Sequence, residues 1–296
     1  MQMKYLRLLV IATFVAQLTY AQGIEFGVFA GTSAYSGDLV SNSFLPKKMV
    51  RPAVGINANL ALTNRINLRS GITYGRLSGS DKYANDPGRV GRNLSFETSL
   101  FEFHTTGELY LLDIESTSFS PYGFVGAALF HFNPYAHDQN GNKVFLRPLS
   151  TEGQGLAAYP DRKPYSLWQF GIPYGGGIKI KVNDQLKIAF EIGLRKLFTE
   201  YIDDVSTQYV DWDELMNAKG PLAVEMAYRG DELDHGIGNS ILPYPSAGTL
   251  RGDPSNNDAY YVSGLNIFYK FNPNNPGTYG GRGRKRSKTG CPVNVY

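Results

Sequence analysis

Eight stretches of this chain alternate large apolar side chains with small or charged ones at a period of two. That period belongs to strands with two unlike faces, so the chain is expected to be all-β. The first stretch runs from Ile24 to Tyr35. In the second, Val54, Ile56, Ala58, Leu60 and Leu62 oppose Gly55, Asn57, Asn59 and Ala61. Ile66 to Leu77 follows after Thr63-Asn64-Arg65. The fourth sets Phe101, Phe103, Leu109 and Leu111 against Glu102, His104, Glu108 and Tyr110. The fifth is read with Tyr122, Phe124, Phe130 and Phe132 on the apolar face and Gly123, Val125, Ala127 and His131 opposite. The sixth places Trp168, Phe170, Ile172, Tyr174, Ile178 and Ile180 against Gln169, Gly175, Gly177, Lys179 and Lys181. The seventh alternates Leu186, Ile188, Phe190, Ile192 and Leu194 with Lys187, Glu191, Gly193 and Arg195. The last, Ala259 to Phe271, has Tyr261, Leu265, Ile267, Tyr269 and Phe271 opposite Gly264, Asn266 and Lys270.

Two unlike faces suit either a soluble β-sandwich or a barrel facing lipid. Three features favour the barrel. Several stretches are longer than the ~5–6 residues usual for a sandwich strand. The bulky face is apolar and aromatic while the other is small or charged, as a narrow lumen requires. The links also alternate in length: 63–65, 113–118 and 182–185 are brief, whereas 36–51, 78–95, 133–166 and 199–257 are long. Outer-membrane barrels have short periplasmic turns and long external loops, and an even strand number puts both termini on the turn side. The expected fold is an eight-stranded antiparallel transmembrane β-barrel over 22–271, with both termini periplasmic. Asp211 to Arg229 reads as a helix broken at Gly220-Pro221 within the last external loop.

Composition agrees. Aromatics reach 13% and there are 20 Tyr and 33 Gly, which fits repeated strands and interfacial belts. A formal charge of +3 argues against a nucleic-acid partner for the chain as a whole. Residues 1–21 read as a signal peptide: Lys4 and Arg7 precede an apolar run from Leu8 to Leu18, and Thr19-Tyr20-Ala21 supplies the small cleavage residues. No cysteine follows that run, which excludes lipoprotein processing, and no later apolar run approaches the ~20 residues of a spanning helix.

Glu102, His104, Glu108, Lys179, Glu191 and Arg195, with Arg69 and Lys187, fall on positions expected to face the lumen. A narrow barrel fills its interior with paired charges because unpaired buried charge is expensive. No nucleophile–base motif accompanies these residues, so an enzyme is not expected. His104, His131, His137 and His235 lack zinc-ligand spacing, and Cys291 is the single cysteine. Asp138 to Asn142 faintly resembles a calcium loop, but Leu149 stands where a bidentate Glu is required. Neither a metal nor a cofactor is expected. Arg251-Gly252-Asp253, followed by Pro254, reads as turn chemistry rather than an adhesion tripeptide. Gly175-Gly176-Gly177 lies within a strand, where it relieves crowding in the lumen.

Residues 272–296 form a separate tail. A linker rich in Asn, Pro and Gly leads to Arg282, Arg284, Lys285, Arg286 and Lys288, and the chain closes on Cys291-Pro292 and an apolar end. Five cations so close together suit an acidic partner or anionic lipid. In an oxidising periplasm Cys291 is a candidate for an intermolecular disulfide.

The stretch Phe190–Asp211 contains Glu191, Arg195 and the loop Thr199-Glu200-Tyr201-Ile202-Asp203-Asp204-Val205-Ser206. It resembles the family of outer-membrane barrels typified by PorG, a component of the type IX secretion system of Bacteroidetes. Tyr35 to Leu39, Arg92 to Phe96, Ile172 to Gly175, Arg251 to Asp253 and Cys291-Pro292 also fit that family, though Glu200 stands where Asp is expected. The resemblance marks Thr199, Tyr201, Asp203 and Asp204 as the family loop motif. It implies an outer-membrane anchor or adaptor that holds the periplasmic ring proteins PorK and PorN at the membrane. The alternative is a surface-binding or small-solute barrel acting through its external loops. A barrel protease or acyltransferase is the weakest reading.

Overall fold

The computed structural model describes residues 24–40, 49–233, 243–255 and 257–270. The expected signal peptide and the whole tail, with Arg282, Arg284, Lys285, Arg286, Lys288 and Cys291, lie outside the described residues.

Eight long strands close on themselves: β1 (Ile24–Ser36), β2 (Arg51–Ala61), β3 (Ile66–Ser80), β4 (Ser95–Tyr110), β5 (Phe119–His131), β8 (Trp168–Lys181), β9 (Leu186–Leu197) and β10 (Ala259–Lys270). Each pairs antiparallel with its neighbours, and the cylinder shuts where β10 meets β1, Glu25 lying opposite Lys270 and Ser36 opposite Ala259. Closure leaves no barrel strand with an unpaired edge. The third stretch extends past its expected end at Leu77 to Ser80, because its pairing with β4 continues as far as Ser80 opposite Ser95.

All short links gather at one end and all long links at the other. The long links are not bare loops. Between β5 and β8, the hairpin β6 (Tyr135–His137) and β7 (Lys143–Phe145) extends the sheet beyond β4 through Glu97 opposite Tyr135. Between β3 and β4 sits a short helix α1 (Pro87–Arg92). After β9 the expected broken helix forms as α2 (Trp212–Lys219) and α3 (Pro221–Ala227). Asp211 caps α2 by accepting the N–H groups of Asp213 and Glu214. Gly220, at φ 83°, ends that helix and Pro221 starts the next.

The outer wall is apolar. Phe26, Val28, Ile56, Ile72, Tyr74, Phe101, Phe103, Phe170, Ile178, Phe190, Leu265 and Ile267 are all large and exposed. No helix among the described residues is long and apolar enough to cross a membrane.

The fifth stretch corrects one expectation. Its aromatics point inward: Phe130 is 0% exposed and Tyr122, Phe124 and Phe132 are buried, whereas Val125 is 59% exposed on the outside. The reason lies on the next strand. Tyr122 and Phe124 sit opposite Gly177 and Gly175 of β8. A Cβ at Gly175 would come within 2.9 Å of the Phe124 ring, and one at Gly177 within 3.0 Å of the Tyr122 ring. The lumen takes large rings from one strand because its neighbour presents none.

Candidate functional site

The lumen holds the first candidate. Glu25, Glu102, Glu108 and Glu191 are buried with Arg69, Lys179, Lys187 and Arg195. Arg69 and Glu108 meet on the paired strands β3 and β4, whereas the other partners reach one another across the lumen from strands that are not neighbours. At the short-turn end, Lys187 Nζ donates to Glu25 Oε1 at 2.7 Å and to Glu115 Oε1 at 2.6 Å. One level up, Arg69 Nη1 donates to Glu191 at 2.6 Å, and its Nε lies 3.0 Å from Glu108. Lys179 completes that group at 3.2 Å from Glu108, its ammonium lying 4.2 Å from the centroid of the Phe268 ring. Tyr122 donates to Glu191 at 2.8 Å and Tyr110 donates to Glu108. Higher still, Arg195 binds Glu102 through Nε and Nη2, each at 3.1 Å. His104 Nδ1 lies 3.0 Å from the same carboxylate, and Tyr260 also donates to it.

The four buried acids match the four buried bases, so the interior carries no excess of either sign. Aromatic rings fill the remaining space: Tyr110, Tyr122, Phe124 and Phe268 pack near the short-turn end. Phe29, Phe96, Phe130 and Tyr260 pack near the long-loop end.

Above it the long links form a cap with its own core of Leu156, Val210, Leu215, Ala223 and Ala227. The Thr199–Ser206 loop lies where the cap joins the barrel. Thr199 accepts the Tyr201 N–H at 3.2 Å, and the Tyr201 ring stacks on Tyr165 at 4.8 Å. Asp203 accepts the Val205 N–H at 3.0 Å. Asp204 accepts instead from the hydroxyls of Thr151 at 2.5 Å and Tyr165 at 2.6 Å, while its backbone turns through φ 66°. Only short polar side chains and glycine tolerate that left-handed region well. The Tyr35 hydroxyl lies 2.6 Å from Asp203 and 2.7 Å from Asp258, whose other oxygen accepts the Ile202 N–H at 2.9 Å. One hydroxyl proton cannot serve two carboxylates fully, so this pair favours holding a proton. Burial pushes both carboxyls well above the usual carboxylate range, the neighbouring Asp203 adding to the effect at Asp258 and Asp38 adding to it at Asp203. Burial likewise pushes Asp204 up to about 6, against the pull of Arg251 and its two hydroxyl donors.

Arg251 is the cap's central strut. It is buried and donates to Glu152 at 3.0 Å, to the Asp204 carbonyl at 2.5 Å and to the Ala227 carbonyl at 3.1 Å. Burial opposes its charge, but Glu152 and Asp204 outweigh that, and its pKa is raised. Glu152 in turn accepts the N–H groups of Ser206 and Thr207 at 2.9 and 3.0 Å. Arg251 is thus withdrawn from any adhesion surface. Asp138 closes a turn by accepting the N–H groups of Asn140 and Asn142. No group of His, Cys, Asp and Glu able to hold a metal ion occurs among the described residues.

The profile described as "Domain of unknown function (DUF6089)" matches residues 3–219. The chain belongs to the DUF6089 family. No curated protein matches it. Among solved structures, the DUF6089 chain is similar to surface protein A of Neisseria, with 11% identity, a TM-score of 0.41, and coverage of 84% of this chain and 97% of that one. It is also similar to the outer membrane protein OprG of Pseudomonas aeruginosa, at 10% identity, TM-score 0.38, and 84% and 98% coverage. Outer membrane protein W of E. coli follows, at 10%, 0.33, and 85% and 100%. The closed eight-stranded architecture of the DUF6089 chain rests on its own strand pairings.

The sequence alone put Tyr110 on the inward face with Glu108, but it did not mark Glu25, Tyr122 and Tyr260 as lumen partners, nor Tyr35, Glu152, Arg251 and Asp258 as cap residues of this DUF6089 chain. Glu25 carried a usable signal, since it is inward by the same alternation as Glu102. Glu152 and Asp258 lie in long links with no periodicity to read.

Proposed function

We propose that the chain is a non-conducting outer-membrane anchor that holds periplasmic components of a protein-export machine. The filled, charge-balanced lumen carries this reading: a barrel packed shut with ion pairs and aromatic rings serves as a fixture rather than a conduit. The apolar outer wall supports membrane insertion, since every barrel strand is paired and large apolar side chains face outward. The resemblance of the Thr199–Ser206 loop to PorG-like barrels makes the type IX system the proposed machine, with PorK and PorN as proposed partners. The basic tail and Cys291 are the proposed docking segment.

The test is twofold. The full chain in planar bilayers is expected to show no steady conductance, and deletion of 272–296 is expected to abolish export while the barrel still inserts. A large steady conductance, or export unchanged by the deletion, would overturn the reading. A second reading, ligand binding through the external segments, is favoured by a cleft of about 910 Å³ beside Asp38, Arg89, Arg92, Tyr209 and Tyr228. In that case the tail deletion leaves export intact, and substitutions in the cleft alter surface binding.

A further inference from the structure

Three cations gather on the outside of the barrel at its long-loop rim. Arg76 is exposed on β3, opposite Ser99 of β4. Lys143 of β7 lies 3.7 Å from the centroid of the Tyr135 ring and 4.8 Å from that of Phe145. The Tyr135 ring under Lys143 is registered opposite Glu97 of β4, two residues from the Ser99 that faces Arg76. Arg51 stands beside them, 3.5 Å from Glu97, the carboxylate that also accepts from Tyr135. One acid against three bases leaves this rim cationic, in contrast to the balanced lumen.

Its height matters. Ten residues separate Ile66, at the short-turn end of β3, from Arg76. At ~3.3 Å per residue and a tilt near 40°, that span is about 25 Å, the height of the apolar band of an outer-membrane barrel. The cations therefore sit at the headgroup level of the leaflet on the long-loop side. Directly below, Tyr74 and Phe101 face outward as a registered pair. Below these opens an apolar groove of about 590 Å³, walled by Ile56, Ile72 and Phe103 and floored by the small residues Ala58 and Ser70. Ile72 is four residues from Arg76, about 13 Å along the strand. A phosphate at the rim and an acyl chain in the groove thus fall within one molecule's reach.

We propose that this face binds a phosphate-bearing lipid of the leaflet on the long-loop side, the phosphate against Arg76, Lys143 and Arg51 and an acyl chain along the groove. The proposal rests on the reading of the chain as an outer-membrane barrel. A lipid is favoured over a free anion because an apolar groove opens on the same face, below the charged rim and its Tyr74–Phe101 pair.

The test uses the full chain folded in neutral detergent, with native mass spectrometry to read binding of diphosphorylated lipid A, of its dephosphorylated form, and of inorganic phosphate. Heat-dependent gel mobility checks that each variant is a folded barrel. Diphosphorylated lipid A is expected to bind, the dephosphorylated form to bind at least about tenfold more weakly, and inorganic phosphate to compete poorly. Arg76→Ala with Lys143→Ala is expected to lower affinity by about thirtyfold, from two lost lipid-surface cations. Ser70→Leu, which fills the groove from the outside, is expected to weaken binding with the charges intact. Equal binding of the two lipid forms, unchanged affinity in the double variant, or full displacement by inorganic phosphate overturns the site. A barrel that inserts into vesicles yet shows no such discrimination overturns the lipid site alone, whereas a chain that stays soluble without detergent overturns the membrane reading on which it rests.

Discussion

Arg195 in the lumen and Arg251 in the cap each neutralise a carboxylate that would otherwise be stranded away from water. Glu102 has 0% exposure and Arg195 supplies its only two guanidinium bonds. Arg195→Met is expected to destabilise the barrel by about 3–5 kcal/mol in urea titrations, because it leaves a buried charge unpaired. Adding Glu102→Gln should recover most of that loss; a single variant within about 1 kcal/mol of the parent would show that the pair is not what holds this level together. Titration in the cap has a definite sign. The folded cap holds protons on Asp203, Asp204 and Asp258 at pH values where an unfolded chain has lost them. Their contribution is therefore complete below the ordinary carboxylate range near ~4 and declines as pH rises through the folded values, Asp204 near 6 among them. Exchange of the Ile202 and Val205 amides, corrected for the intrinsic rate, should be faster at pH 8 than at pH 5. Asp258→Asn should shrink that difference, since its amide can donate to Tyr35 while Tyr35 donates to Asp203. Protection that rises with pH would contradict the assignment.

Strands whose two faces differ in chemistry were legible one at a time. On β8 and β9 a charged or small residue alternates with a large apolar one, and period alone places the side chains from Trp168 to Lys181 and from Leu186 to Arg195. β5 was not legible, because Tyr122, Phe124 and Phe130 are apolar yet inward, and what admits them is glycine on another strand. Periodicity within one strand cannot register a fit between two. The cap was hidden for a related reason: Arg251, Glu152 and Asp204 meet across long irregular links, so no spacing announces them. The helix broken at Gly220-Pro221 could be read because its cap and its breaker are local. The ring-over-glycine rule can be tested where it is cleanest. The three atoms nearest a Cβ built at Gly27 all belong to the Phe268 ring, the closest at 2.6 Å. Gly27→Ala should cost about 1–3 kcal/mol, and Phe268→Leu in the same chain should return part of it, a coupling that a double-mutant cycle measures. Additive losses would mean that the two positions do not share that space.

At the scale of the whole molecule, paired charges fill the interior while unbalanced cations stand on the long-loop rim. The described chain enters the barrel at Ile24 and leaves it at Lys270, side by side at the short-turn end, with Glu25 opposite Lys270. β10 is then bonded along its length to β1 on one flank and to β9 on the other. A tug on Lys270 directed along β10 would pull parallel to that strand. It loads both flanking ladders in shear, all rungs together, instead of peeling them open singly. If the proposed anchor role holds, tension along β10 would be resisted by both ladders at once.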